Sequence, residues 1–291
     1  MKKRWFVRLA SMGTGLTAIV PWLIGSTFIA PCNHKVDPPP ADLPCEAVKF
    51  HSGSAADIHG WFVDAKDARA AVLLLHASGG DRTSMLRRAR FLHQAGYAAL
   101  MIDFRCHGES IADVRTYGWR ESLDAISSVG WLRHRMPDNK IAVIGFSLGG
   151  AAAILAGDKL NADALVAESV YGDLRKAIWN RVEMRIGTFG ADCLSPLLTM
   201  QVPSRMNLKL DDVSPARSAA CVPCPVLVIH GALDHHAHVE EGRAIFDACP
   251  NSRKEWWEIA DAGHEDLCRH EGEIYERKVL AFLHRALDRA P

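Results

Sequence analysis

One pentapeptide constrains this chain more than any other stretch. Gly145-Phe146-Ser147-Leu148-Gly149 is entered from the apolar run Ile141-Ala142-Val143-Ile144 and left through Gly150-Ala151-Ala152-Ala153. The apolar run reads as a strand covered on both faces, and the small residues after it read as a helix packed close behind. Glycines two positions either side of the serine let the backbone turn sharply between the two. The serine hydroxyl then stands clear of the sheet, and the helix N-terminus points at any negative charge that develops there.

The same alternation recurs along the chain. Residues 70–75, 98–102, 164–167 and 225–229 are continuous apolar runs, predicted as buried strands. Residues 45–50 and 58–63 alternate and predict an antiparallel opening hairpin. Helical spacing predicts helices over about 84–94, 123–137, 239–248 and 273–287, with a strand at 255–259. Strands alternating with helices at this interval require crossover connections. The expected fold class is therefore α/β, with a mainly parallel central sheet flanked by helices. The pattern breaks over about 171–220, which holds Gly187, Gly190, three prolines and scattered apolar side chains such as Trp179, Phe189, Leu197, Leu198 and Met200. This stretch is predicted as a lid, inserted between the strand after the elbow helix and the strand that ends near Asp234.

Lys+Arg and Asp+Glu number 34 each. Balanced charge implies no basic face, so nucleic acid is not an expected partner. The N-terminus differs from the rest. Residues 9–31 carry no charge, enough length to cross a bilayer and more than a cleaved signal peptide usually has. Lys2, Lys3, Arg4 and Arg8 would keep its leading end in the cytoplasm. The expected organisation is a membrane anchor or signal segment at 1–31, a stiff proline-rich linker at 32–44, and a catalytic domain at 45–291 outside the cytoplasm, membrane-anchored or secreted after cleavage. Of eight cysteines, Cys32 with Cys45 or Cys221 with Cys249 could pair in that compartment.

A serine hydroxyl needs a base to take its proton, and the base needs a partner to hold its tautomer. Asp234 lies just past the apolar run 225–229, and His264 lies just past the strand predicted at 255–259. Both therefore fall at strand ends on the edge that carries Ser147, in the chain order Ser, Asp, His. Glu168, at the end of the run 164–167, is the rival acid. An oxyanion requires two backbone N–H donors. Leu148 supplies one, and the loop His76-Ala77-Ser78-Gly79-Gly80 supplies the other, through Ser78 first and Ala77 second. His76 and His107 are expected to be structural. His235, His236, His238, His264 and His270 lack metal-ligand spacing, so no metal and no cofactor are expected.

Four ordered segments, His76-Ala77-Ser78-Gly79-Gly80, Gly145-Phe146-Ser147-Leu148-Gly149, Gly231-Ala232-Leu233-Asp234 and Gly263-His264, together resemble the α/β-hydrolase superfamily. Asp103-Phe104-Arg105-Cys106-His107-Gly108-Glu109-Ser110 is similar to the loop many members write as D-x-R-G-H-G-x-S. Ala77 and Cys106 stand where the family usually has glycine. The branch most similar is that of small esterases, lysophospholipase-like and serine-aminopeptidase-like proteins. The resemblance implies a Ser147–His264–Asp234 triad acting through an acyl-enzyme on a small-molecule ester, with an acyl-chain substrate favoured by an apolar lid. A thioesterase or lysophospholipase, an aminopeptidase using Glu168 or Glu183 to hold an amine, and a non-catalytic membrane-tethered interaction protein are the alternatives.

Overall fold

Apolar runs with no polar interruption can only lie where both faces are covered, and here they form the middle of one sheet. The computed structural model describes residues 19–287. In chain order the elements are α1 (helical residues 19–29), β1 (Cys32–Asn33), β2 (Cys45–His51), β3 (Asp57–Val63), β4 (Ala71–Leu75), α2 (Leu86–Gln94), β5 (Ala98–Ile102), β6 (His107–Gly108), α3 (Glu121–Arg135), β7 (Ile141–Phe146), α4 (Leu148–Ala156), β8 (Ala164–Glu168), α5 (Leu174–Thr199), α6 (Val202–Met206), α7 (Pro215–Ser218), β9 (Val226–Gly231), α8 (Val239–Ala248), β10 (Glu255–Ile259), α9 (Leu267–Glu271) and α10 (Glu273–Leu287).

The sheet has eight strands in the order β10-β9-β8-β7-β4-β5-β3-β2. Only β3 runs against its neighbours; the other pairings are parallel. Strand pleating sends alternate side chains to opposite faces. Leu73, Leu75 and Val143 pack with the α3 and α4 side, whereas Val72, Leu74 and Ile144 pack with the α2 and α10 side. Each such side chain, fully removed from water, contributes roughly 1.5–3 kcal/mol. The chain passes from β4 to β5 on one side and then returns to β7 on the other. Loops leaving β4 and β7 diverge at that reversal and open a crevice at the carboxyl edge. That crevice lies beside the elbow serine.

The region expected as a lid is mostly helical. Residues 174–199 form α5, bent at Gly187 (φ 74°), and the shorter α6 follows. Asp173 caps α5 by accepting a hydrogen bond from the Lys176 N–H. Its base is clamped to α8 by Glu241, whose carboxylate accepts from Asn180 Nδ2 (2.7 Å), the His238 N–H (3.0 Å) and the Gly172 N–H (2.8 Å).

Of the charge-free N-terminal run, residues 9–18 and the basic residues before them lie outside the described residues. Among the described residues no helix is long and apolar enough to cross a membrane. Residues 19–29 form a helix seated on the lid. The carbonyls of Pro21 and Trp22 accept from Gln201 Nε2 (3.1 Å) and Arg205 Nη1 (2.8 Å), and the Arg205 guanidinium lies 4.2 Å from the centre of the Trp22 ring. The proline-rich stretch 32–44 lies along the domain. Cys32–Asn33 pair with His107–Gly108, and Val36 and Leu43 are buried. All eight cysteines are free.

Candidate active site

The elbow forms because only glycine fits around it. Ser147 sits at φ 51° and ψ −107°, a strained conformation for a residue with a side chain. A Cβ on Gly145 would lie 2.4 Å from Gly150 N, and one on Gly149 would lie 2.2 Å from the Leu75 carbonyl oxygen. Gly150 is as tight, 2.4 Å from a Val170 methyl. These close approaches press α4 against the end of β4 and hold the serine at the crest. Gly149→Ala is accordingly expected to destabilise the fold by at least about 2 kcal/mol and to lower turnover with it, since backbone at Leu75 must move. Urea unfolding beside an esterase assay checks this; a variant as stable and active as the parent would show that the elbow tolerates the shift.

Asp234 and His264 are brought to Ser147 by the loops after β9 and β10. These loops also touch through glycine, because a Cβ on Gly231 would meet the Ala262 carbonyl oxygen at 2.4 Å. His264 Nε2 lies 3.0 Å from Ser147 Oγ, and its Nδ1 lies 2.7 Å from Asp234 Oδ2. The other Asp234 oxygen accepts from the backbone N–H groups of His236 (2.8 Å) and Ala237 (2.9 Å). Burial alone would raise the Asp234 pKa; the His264 hydrogen bond and charge outweigh it, leaving the carboxyl below its ordinary value. A buried, ionised acid fixes Nδ1 of the imidazole as the protonated nitrogen and turns Nε2 towards the serine.

Leu148 opens α4, so its N–H is free of intrahelical partners. Ala77 and Ser78 border the same cleft, and no acceptor among the described residues takes the Ser78 N–H. The loop turns through a Gly80 N–H to Ala77 carbonyl bond (3.1 Å) with Gly79 at φ 82°. His76 lies beneath it, fully buried, donating from Nδ1 to the Ala77 carbonyl (2.7 Å) and accepting at Nε2 from the Phe104 N–H (3.1 Å).

Glu168 is brought elsewhere. Its parity with Val166 on β8 sends the side chain to the α2 and α10 face, where it meets Arg88 Nη2 at 2.5 Å and accepts from the Tyr275 hydroxyl. Only its backbone carbonyl approaches the elbow, accepting from the Ser147 N–H (2.7 Å). Glu183 accepts from Thr188 Oγ1 (3.1 Å) and does not line the cleft. His236 stacks on His264 with ring centres 4.7 Å apart, while His238 faces His235 at 6.4 Å. Cys106 is fully buried at φ 62°, a left-handed conformation that glycine adopts without strain, and burial pushes its thiol up to about 11.

Burial drives His76 down to about 4, and burial together with the His76 charge does the same to His107. A folded pKa near 4 against roughly 6.5 unfolded means that the unfolded chain binds more protons between those values. Unfolding free energy should therefore fall as pH drops from 6.5 towards 4, by about 1 kcal/mol per pH unit for each imidazole. Urea midpoints at pH 7, 6 and 5 read this directly, and an unchanged midpoint would contradict it.

The cleft around Ser147 has a volume of about 570 Å³. Its walls include Thr27 and Phe28 of α1, Arg115 and Tyr117 ahead of α3, and Arg181, Arg185 and His236. Sequence reasoning found the floor of this cleft and missed these walls.

A parallel sheet with an elbow serine at its reversal point, faced by an imidazole and a buried carboxylate, is the architecture of the α/β hydrolases. The chain belongs to the alpha/beta hydrolase family, whose profile matches residues 72–276. It is similar to the uncharacterized protein YfhR of Salmonella typhi, 24% identical over 278 residues, covering 92% of this chain and 91% of that one. The lysophosphatidylserine lipase ABHD12 of Mus musculus is 23% identical over 205 residues, which are 66% of this chain and 49% of that protein. Among solved structures, the Pyrococcus furiosus esterase Pf2001 shares the fold with a TM-score of 0.75 at 24% identity, over 90% of this chain and 99% of that one.

Proposed function

We propose that this protein is a serine hydrolase of carboxylic esters, with Ser147 as nucleophile, His264 as base and Asp234 as the partner of the base. The observation that carries the reading is His264 within hydrogen-bond reach of both other side chains, 3.0 Å from Ser147 Oγ and 2.7 Å from Asp234 Oδ2. In the first step Ser147 Oγ attacks the carbonyl carbon as His264 Nε2 takes its proton. The N–H groups of Leu148 and Ser78 receive the oxyanion. Collapse expels the alcohol, which leaves with the proton held on His264. Water then attacks the acyl-enzyme, losing its proton to His264, and the acid is released as that proton returns to Ser147 Oγ. The reaction as written consumes one water and needs no cofactor.

The test uses the full chain in mild detergent, labelled with a fluorophosphonate and assayed on p-nitrophenyl esters of rising acyl length. Labelling at Ser147 and ester turnover are expected. A folded protein that neither labels nor turns over any ester would favour the non-catalytic reading. An aminopeptidase is less well supported, because Glu168 is committed to Arg88 and, among the described residues, no carboxylate other than the buried Asp234 lies beside the serine.

Lysophospholipid cleavage is the second reading. A similar protein bears the name lysophosphatidylserine lipase, and apolar side chains stand exposed on α1 (Ile19, Trp22, Leu23) and α5 (Met184, Ile186, Phe189). The same side chains, with the basic and charge-free residues before them, support attachment to a membrane with the catalytic domain outside the cytoplasm. Alkaline carbonate extraction of membranes, followed by protease treatment of spheroplasts, tests that placement; a protein recovered in the soluble cytoplasmic fraction would refute it.

A further inference from the structure

Three guanidinium groups converge on the cleft. Arg115 enters ahead of α3, and Arg181 and Arg185 stand one turn apart on α5, so they share a face of that helix. Among the described residues none of the three forms an ion pair. Arg115 donates to Ser78 Oγ (3.1 Å) and to the Thr27 carbonyl (3.1 Å), and its Nε is buried with no partner. Among the described residues Arg181 donates to the Ala177 carbonyl (2.8 Å) and to no other group. Arg185 lies 5.8 Å from the centre of the Phe28 ring.

Among the described residues the buried arginines Arg82, Arg88 and Arg105 each meet a carboxylate within 3 Å. Exposed arginines such as Arg217 go without one elsewhere, so the convergence of three unpaired guanidiniums on one cavity is what carries weight. The chain has as many acids as bases, yet among the described residues the only carboxylate beside the serine is the buried Asp234, held by His264. Three like charges around one cleft repel, and the repulsion is relieved by an anion. Guanidinium forks match carboxylate and phosphate geometry in particular. His236, between these arginines and His264, is pushed down to about 4, by burial first and then by the charges of His264, Arg181 and Arg185. It therefore stays neutral and leaves the positive field to the arginines.

We infer that the substrate of this site is an ester carrying a carboxylate or phosphate group, which Arg181 and Arg185 hold from the lid while Arg115 holds it from the oxyanion-loop side. This rests on the ester-hydrolase reading and narrows its substrate to anionic esters. Arg115 has a second consequence, since its bond to Ser78 Oγ couples the anion to the loop that supplies an oxyanion donor. Arg181 and Arg185 are positioning residues; neither is given a proton to move.

The experiment compares matched esters with the full chain. One pair is mono-p-nitrophenyl adipate and its methyl ester, equal in reach but differing in the terminal charge. The other is oleoyl lysophosphatidic acid and monooleoylglycerol in mixed micelles. A kcat/KM at least tenfold higher for the anionic member of either pair at low salt is expected, carried mainly by KM and shrinking in 0.5 M NaCl. Preference in the first pair alone identifies small acids, and preference in the second alone identifies a lipid headgroup. In Arg181→Gln/Arg185→Gln the ratio within the preferred pair should fall at least tenfold. No preference in either pair, with the neutral esters turned over, overturns the inference while leaving the hydrolase reading intact. A ratio unmoved in the double variant overturns the assignment to these arginines. Absence of both turnover and fluorophosphonate labelling overturns the two together.

Discussion

Ser147→Ala is expected to lower ester turnover by a factor on the order of 10⁵ and to abolish fluorophosphonate labelling, with little change in stability. The side chain is a small one at a crest, and losing its hydroxyl removes only the contact to His264 Nε2. Asp234→Asn should cost nearly as much, about 10⁴-fold, for a different reason. Asp234 Oδ2 holds the Nδ1 proton of the imidazole, and an amide nitrogen presented there would favour the tautomer whose Nε2 cannot accept from the serine. The paired measurement is informative because the two losses should not add. A double variant only marginally slower than either single one is the expected result, whereas multiplicative losses would mean that the residues act separately.

The second large effect lies under the site. Arg88 and Glu168 are 1% and 0% exposed in their side chains, and Arg88 also meets Asp266 Oδ1 at 2.8 Å. Removing one member of such a pair strands a charge in apolar surroundings, at a cost of about 3–5 kcal/mol. Arg88→Met should therefore consume much of a stability that is about 5–15 kcal/mol for a typical domain. Replacing both partners, as in Arg88→Met/Glu168→Leu, should recover part of it, because the fully buried carboxylate goes with the guanidinium and Asp266, which also loses Arg88, is 32% exposed and keeps its hydration. Urea unfolding of the three proteins decides the matter; equal midpoints for the single variant and the parent would mean that the pair contributes nothing.

What the sequence disclosed and what it withheld divide along a physical line. Leu73, Leu74 and Leu75 announce a covered strand because a continuous apolar run has few other uses, and Gly145, Gly149 and Gly150 announce a turn and a close approach that only glycine permits. Asp234 and His264 are legible because each follows a predicted strand, and strand ends in a parallel sheet share one edge. The walls of the cleft carry no such signature. Arg181 and Arg185 at helical spacing look like any solvated helix face until α5 is bent at Gly187 and laid over the serine. Glu168 looked like a rival acid because sequence gives its strand-end position but not the face to which pleating assigns it. Thr27 and Phe28 were hidden inside a stretch whose apolar length suggested a bilayer rather than a seat on its own domain.

That seat has a practical consequence. Phe28 and Thr27 border the cleft, the Phe28 carbonyl accepts from the Tyr117 hydroxyl (2.7 Å), and Arg115 is tied to the Thr27 carbonyl. A recombinant product started at Cys32, the customary way to shed a greasy leader, would be missing one side of its own doorway. Its selectivity would then describe a roomier enzyme than the one encoded.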